Sequence, residues 1–316
     1  MPDDFSTIQG AIDGSSNGDT VIVRDGAWVE NINFNGKGIT LKSENGPTAA
    51  VIDGSGSGTV VTFANGEGPS SILEGFTVKN GSGSKGGGAY LYSSSPVVVD
   101  CVFRDNNATY GGGAFVESTA EPMFLICSFV NNASVLGGGG VRCDYWSEPE
   151  FVDCLISGNT AGSLAAGYSN GGGVYCFESA PTFLGTEIRG NMARYGGGVY
   201  AVDYSFPIFT NCLVVDNEAE SNGGGLACAY DAQLSAKRTT VAGNSAGGTG
   251  GGIWADYSDL AMKDCILWGN DSPGVSGIDG STANSLTVNY CCVQGSQGQA
   301  WAGTGCIDAD PLFVAG

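Results

Sequence analysis

The stretch Gly196–Asn217, GGGVYAVDYSFPIFTNCLVVDN, is one unit of a repeat that runs through most of the 316-residue chain. Its glycine triplet recurs six more times, at starts 25 to 33 residues apart, and its final asparagine recurs in step. The asparagines of this register are Asn106, Asn132, Asn159, Asn191, Asn217, Asn244 and Asn270. A period of about 27 residues predicts a solenoid.

Apolar residues inside each unit alternate with other residue types. In the quoted unit, Phe209, Cys212 and Val214 precede the asparagine by eight, five and three residues, and Val199 and Ala201 follow the glycine triplet. Apolar positions in steps of two point one face of a strand inward. Short strands without a helical period predict an all-β chain that forms a parallel β-helix, a solenoid of roughly eleven coils.

The start of the chain carries a different pattern. Ser6 with Gln9 three residues later forms a capping-box pattern, and Phe5, Ile8 and Ile12 share one helical face. We predict a short N-terminal helix that covers the strand edge of the first coil. The single β-helix domain 1–316 then divides as follows: cap 1–18, irregular coils 19–85, regular glycine and asparagine repeats 86–275, and C-terminal coils 276–316.

The recurring residues have structural interpretations. Stacked asparagines can bond their counterparts on adjacent coils, and asparagine tolerates the left-handed backbone of a tight bend. Glycine triplets suit corners where no Cβ fits. Eight of the 11 cysteines occupy inward positions as small apolar residues, which predicts free thiols. A bridge from Cys306 to Cys291 or Cys292 is the exception left open. The insertion Gly162–Asn170 predicts a protruding loop.

The charge of the chain excludes several partners. Thirty-two acidic against 12 basic residues give a formal charge of −20, which argues against nucleic acid and anionic membranes. No segment has the apolar length of a membrane span. Residues Met1–Asp4 do not form a signal peptide, so we expect that a secreted protein is represented here in a mature or trimmed form.

Several segments resemble a known family. Gly196–Tyr200 with Cys212–Asn217 resembles the right-handed parallel β-helix repeats of the pectate-lyase-like superfamily, closest to bacterial surface proteins and chlamydial polymorphic outer-membrane proteins. Phe5–Asp13 with Gly18–Val23 is similar to the cap and first coil of secreted β-helix proteins, and Asp308–Phe313 to a coil near the end of such domains. The resemblance implies the fold, whereas the same scaffold carries lyases, hydrolases, adhesins and filament subunits.

An enzyme is the alternative function. Lyases of this superfamily use an Arg or Lys base beside calcium-binding acids. Arg142 is the only basic residue among the outward positions after the glycine triplets, near Asp144 and Glu117, and these three are the alternative catalytic candidates. The chain has no histidine, which removes a common general base and metal ligand. We therefore expect no catalytic residues and no obligatory cofactor, with a polysaccharide lyase or glycoside hydrolase acting on an extracellular glycan as the alternative.

Aromatic residues provide a candidate binding face. Flat rings beside carboxylates suit sugars. The glycan-contact candidates are Tyr90, Phe115, Tyr175, Tyr200, Trp254, Trp146 and Tyr204, and Tyr92, Tyr145, Tyr230 and Tyr257 lie in the same turns. Calcium binding is left open, with Asp144, Asp203, Asp231 and Asp256 as the candidate ligands. A competing interpretation is that outward aromatic rings stack only for stability.

Taken together, these patterns predict a non-enzymatic extracellular or cell-surface protein, either an adhesive, carbohydrate-contacting module or a subunit of a surface assembly or filament. Its expected partners are an extracellular glycan or further copies of itself placed end to end, since an open strand edge favours addition of another chain.

Overall fold

A computed structural model describes residues 4–162, 169–273 and 277–313. These residues form four parallel sheets, of 11, 11, 10 and 7 strands, in which neighbouring strands come from successive coils. The prediction of an all-β parallel β-helix with one short helix is confirmed. Residues 163–168 of the insertion Gly162–Asn170 lie outside the described residues, so its loop stays a prediction.

The strands of the four sheets are short, mostly of two to five residues. Sheet 1 contains Thr20–Val23, Thr40–Ser43, Ile72–Glu74, Val97–Val99, Met123–Leu125, Glu150–Val152, Thr182–Leu184, Ile208–Thr210, Gln233–Lys237, Asp259–Lys263 and Ser285–Asn289. Sheet 2 contains Gly26–Val29, Ala50–Asp53, Thr77–Lys79, Val102–Arg104, Ser128–Val130, Leu155–Ser157, Glu187–Arg189, Leu213–Val215, Thr240–Ala242, Ile266–Trp268 and Cys292–Val293. Sheet 3 contains Ile32–Asn33, Val61–Phe63, Ala89–Tyr92, Ala114–Glu117, Val141–Asp144, Val174–Phe177, Val199–Val202, Leu226–Ala229, Ile253–Asp256 and Ile278–Thr282. Sheet 4 contains Ser82–Lys85, Asn107–Tyr110, Ala133–Ser134, Thr160–Ala161, Met192–Ala193, Glu218–Ala219 and Ser245–Ala246.

Like residues stack along the interior. Phe124, Phe151, Phe183 and Phe209 are fully buried, and their successive ring centroids lie 5.1, 5.1 and 4.8 Å apart. The eleven cysteines are free thiols, and Cys306 donates to the carbonyl of Val288 at 3.2 Å. The interior is therefore held by side-chain stacking within a continuous apolar core.

Each asparagine of the recurring register is buried and fully hydrogen bonded. The Oδ1 atom of Asn217 accepts from the backbone nitrogen and Nδ2 of Asn191, at 3.1 and 2.9 Å. Its own Nδ2 donates to the carbonyl of Ile188 and to Oδ1 of Asn244, both at 2.9 Å. The same four bonds recur from Asn132 to Asn244 and form an asparagine ladder.

The bends of the coil use left-handed backbone at positions other than those expected. The ladder asparagines themselves do not have positive φ. Their side chains bond adjacent coils from ordinary backbone angles. The residue before each one takes the positive φ instead: Asp105, Asn131, Gly158, Gly190, Asp216, Gly243 and Gly269. The position five residues before each ladder asparagine holds a cysteine or, at 186 and 239, a threonine. The residues directly before this position also have positive φ: Asp100, Ile126, Asp153, Gly185, Asn211, Arg238 and Asp264. This second set of bends splits the predicted inward run into separate strands of sheets 1 and 2.

Two further corners complete each regular coil. The first glycine of each triplet has φ between 61° and 70°. The later glycines leave no room for a Cβ atom, since one built on Gly197 would lie 2.3 Å from the carbonyl oxygen of Glu218. The fourth corner follows sheet 3 and again uses positive φ, at Ser93, Ser118, Tyr145, Glu178, Asp203, Tyr230 and Tyr257.

The predicted helix spans Ile8–Gly14, with Ile8 and Ile12 buried against the first coil. Thr7, rather than the predicted Ser6, caps its first turn and accepts from the backbone nitrogen of Gly10 at 3.0 Å. The capping-box prediction was wrong because a carboxylate from the first coil occupies that role: Glu30 accepts from the backbone nitrogens of Ile8 and Gln9, at 2.8 and 3.0 Å. Within the described residues, no helix is long and apolar enough to cross a bilayer.

Candidate functional site

The outward side of sheet 3 carries the sequence-predicted aromatic and catalytic candidates. In-register pairing brings Tyr90, Phe115 and Arg142 onto neighbouring strands, and likewise Glu117 and Asp144. The outward alternation agrees with the prediction, but several of these side chains are covered. Phe115, Glu117 and Asp144 are each at most 3% exposed.

Arg142 is enclosed between two aromatic rings. Its guanidinium carbon lies 4.6 Å from the ring centroid of Tyr110 and 4.3 Å from that of Tyr175. Its Nε donates to both carboxylate oxygens of Asp144, at 3.0 and 2.9 Å, and a terminal nitrogen donates to the carbonyl of Leu136 at 2.8 Å. Cation–π contacts and an ion pair thus fix this side chain in place.

Glu117 and Asp144 are each paired with a cation. Lys85 Nζ lies 2.7 and 2.9 Å from the two oxygens of Glu117, which also accepts from the Tyr90 hydroxyl at 2.5 Å. Burial raises the pKa of Asp144 to about 6; the charge of Glu117 adds to this effect, whereas Arg142 opposes it. Burial and the bond to Glu117 also raise the pKa of the Tyr90 hydroxyl. In this arrangement, Arg142 bonds Asp144, whereas Glu117 bonds Lys85 and Tyr90, and Arg142 does not face solvent as a free base.

Three of the seven predicted glycan-contact residues, Tyr175, Tyr200 and Trp254, belong to a second apolar cluster. Tyr200 is 6% exposed and packs with Val202, Ala227 and Ala229. The Tyr195 ring lies 6.3 Å from the Tyr200 ring and 5.7 Å from the Trp254 ring two coils further on, so it spans the level of Ala227. Tyr200 and Phe115 therefore offer little surface to a ligand, whereas Tyr90, Tyr175 and Trp254 are half-buried.

Sequence reasoning did not single out Tyr110 and Tyr195. Both residues come directly before the first glycine of a triplet, at Gly111 and Gly196. That shared register was a signal that could have identified them as the residues that fold back over sheet 3.

Exposed aromatic residues gather instead at the corner that follows sheet 3. We call Tyr145, Trp146, Tyr204, Tyr230 and Tyr257 the aromatic corner. These side chains are 47 to 60% exposed. All five have left-handed backbone, with φ between 45° and 62°. They follow four of five successive strands, since the strand Val174–Phe177 leads into Glu178 instead, so the aromatic corner extends over four inter-strand spacings, about 19 Å.

Left-handed backbone is unfavourable for bulky residues, because the Cβ atom crowds the backbone. Other coils occupy this corner with smaller residues, Ser93 and Ser118, at φ of 45° and 61°. Large rings at this backbone therefore destabilise the folded state more than serine or glycine would. Because the rings are exposed, burial of apolar surface offsets little of this cost.

Carboxylates alternate with these rings. The pairing of Val202 with Ala229 places Asp203 beside Tyr230 and Tyr204 beside Asp231. Partial burial and the charge of Asp231 raise the pKa of Asp203. Asp256 accepts from the Thr282 hydroxyl at 2.5 Å. Of the four alternative calcium ligands, Asp144 lies in the ion pair and the other three at this corner. Across the described residues, no three His, Cys, Asp or Glu side chains come together to hold a metal ion.

Comparison with known proteins gives a family match and two similar folds. The family model described as right handed beta helix region matches residues 7–230 and 168–309. A solved structure from Geobacillus virus E2, ORF18, is 15% identical with a TM-score of 0.50; the match covers 86% of this chain and 58% of that one. A pectin methylesterase mutant solved with a hexasaccharide is 13% identical with a TM-score of 0.41, covering 90% and 89%. No curated protein matches the chain. These identities indicate likeness of fold alone.

Proposed function

We propose that this chain, which belongs to the right-handed β-helix family, is a non-enzymatic carbohydrate-contacting module whose contact surface is the aromatic corner. An extracellular or cell-surface location, as in the surface proteins that the repeat resembles, is part of the same proposal. The observation that carries it is the set of exposed rings held at unfavourable left-handed backbone on four of five successive coils.

Several properties of this corner suit a glycan. Aromatic rings pack against the C–H faces of sugars, and the intervening carboxylates accept hydrogen bonds from hydroxyl groups. The rings project from rigid coils, so little conformational entropy is lost when a chain binds along them. A length of about 19 Å suits an extended oligosaccharide better than a single sugar.

The enzyme alternative has weaker support. Asp144 and Glu117 are buried, Arg142 is half-buried between two rings, and each of the three is bonded to a partner. A proton acceptor must reach its substrate within hydrogen-bonding distance, which these positions do not favour.

Direct binding measurements test the proposal. Isothermal titration with oligosaccharides selected on a glycan array, with and without calcium, should detect binding to the wild type. Trp146→Ser with Tyr204→Ser should weaken it at least about tenfold, the equivalent of about 1.4 kcal/mol. Serine is chosen because the structure already holds serine at this corner in other coils.

Tyr290→Ser is the matched control, because Tyr290 is also exposed and left-handed but lies at a different corner, before Cys291. This variant should bind like the wild type. Equal losses in both variants, or unchanged binding in the double variant, would exclude the aromatic corner as the contact surface.

A further inference from the structure

We infer that the glycan held at the aromatic corner carries free amino groups, as in a de-N-acetylated hexosamine polymer. This inference rests on the proposed function and names the chemical class of its ligand. Its basis is the charge of the same surface, since rings and carboxylates both attract ammonium groups.

The charge around the aromatic corner has one sign. The described segments that form this corner, 117–121, 144–148, 177–180, 202–206, 229–232 and 256–258, contain no Lys or Arg. Their solvent-accessible acids are Glu121, Glu148, Glu178, Asp203, Asp231 and Asp256. Two cations that contact acids of these segments, Arg142 and Lys85, are neutralised by Asp144 and Glu117. The corner therefore concentrates negative potential, to which the formal charge of −20 adds.

The rings could contact the C–H face of an amino sugar while the carboxylates bind its amino group. Asp203 lies beside Tyr230 and Asp231 beside Tyr204, so a ring and a carboxylate are neighbours on both of these adjacent coils. A sugar packed on a ring would bring its amino group within reach of a carboxylate on the same or the next coil, about 4.8 Å away. Uronic acids, with the opposite charge, would be repelled.

The ligands that distinguish this inference differ by a single group. We would titrate the protein with a β-1,4-linked glucosamine oligomer, with its N-acetylated counterpart of equal length, and with a neutral glucan oligomer. The amine-bearing oligomer should bind most tightly, and its advantage should decrease with added salt and at alkaline pH, where its amines lose their charge.

Variants assign the preference to this corner. Asp203→Asn with Asp231→Asn should weaken binding of the amine-bearing oligomer about fivefold and leave the N-acetylated oligomer almost unaffected. Asp100→Asn with Asp264→Asn is the control, because it removes two exposed carboxylates at the corner between sheets 1 and 2 and changes the net charge equally. This control should retain the preference.

The outcomes separate the two proposals. Equal or tighter binding of the N-acetylated or neutral oligomer, lost in Trp146→Ser, would overturn the amine inference and leave the glycan function standing. An amine preference that persists in Asp203→Asn with Asp231→Asn, or falls equally in the control, would overturn the assignment to this corner. Binding of none of the oligomers would overturn the amine inference, and absence of binding to every glycan of the array would overturn the proposed function as well.

Discussion

A single asparagine of the ladder satisfies donors and acceptors on three coils. Replacing Asn191 with Ala removes the acceptor for Asn159 and the donor for the carbonyl of Ile156, and leaves these groups buried without partners. We expect the free energy of unfolding to fall by about 1–3 kcal/mol. Chemical denaturation monitored by circular dichroism measures this change.

The last asparagine provides a graded comparison. Asn270 accepts from Asn244 and donates to the carbonyl of Val241, but has no further ladder asparagine to bond among the described residues. Asn270→Ala should therefore destabilise the protein less than Asn191→Ala. Equal stability of the wild type and Asn191→Ala would contradict the structural role of the ladder.

Asp144 should impose a pH dependence on stability. Its pKa is raised from 3.8 to about 6 in the folded state, so the folded protein holds this proton more tightly than the unfolded chain. The contribution of Asp144 to stability is therefore most favourable below about pH 4 and decreases by up to about 3 kcal/mol as the pH rises to 6. Subtracting the stability profile of Asp144→Asn from that of the wild type isolates the effect, and a flat difference from pH 4 to 7 would refute it.

The corner between sheets 1 and 2 contains one residue that does not suit its backbone. Ile126 has φ of 55° and is 63% exposed, at a position where other coils place Asp100, Asp153 or Asn211. Because β-branched side chains strongly disfavour this conformation, Ile126→Asn should raise the free energy of unfolding by about 1 kcal/mol. Ile208→Asn is the comparison: Ile208 is 44% exposed but lies in a strand of sheet 1, and its replacement should give no gain.

Sequence periodicity was informative for elements that repeat and less so for contacts that cross coils. The asparagine recurs in every regular coil, and the phenylalanine and cysteine recur in most of them, so their stacking followed from register alone. The contact between Tyr195 and Trp254 joins residues two coils apart. The rings that enclose Arg142, those of Tyr110 and Tyr175, belong to the coils on either side of it. Such contacts depend on side-chain length and direction, so alternation predicted the outward side of Tyr200 but not its burial.

The whole molecule combines a charge of −20 with an elongated stack of coils. Self-repulsion between like charges opposes the compact state and is screened by salt. We expect the melting temperature to rise by several degrees between about 10 and about 500 mM NaCl. Equivalent osmolality supplied by sucrose is the control for general solute effects, and a melting temperature insensitive to NaCl would contradict the expectation.

The asparagine ladder also gives the molecule an electrical direction. From Asn106 to Asn244, every side-chain amide donates one N–H to the asparagine of the next coil toward the C-terminus and accepts through its oxygen on the N-terminal side, whereas its second N–H donates to a carbonyl of the preceding coil. The amide dipoles therefore add head to tail, and each bond polarises the next. The two ends of this column of dipoles are chemically unlike: the Asn106 end presents an acceptor, which the backbone nitrogen of Gly81 fills, and the Asn270 end presents the positive pole.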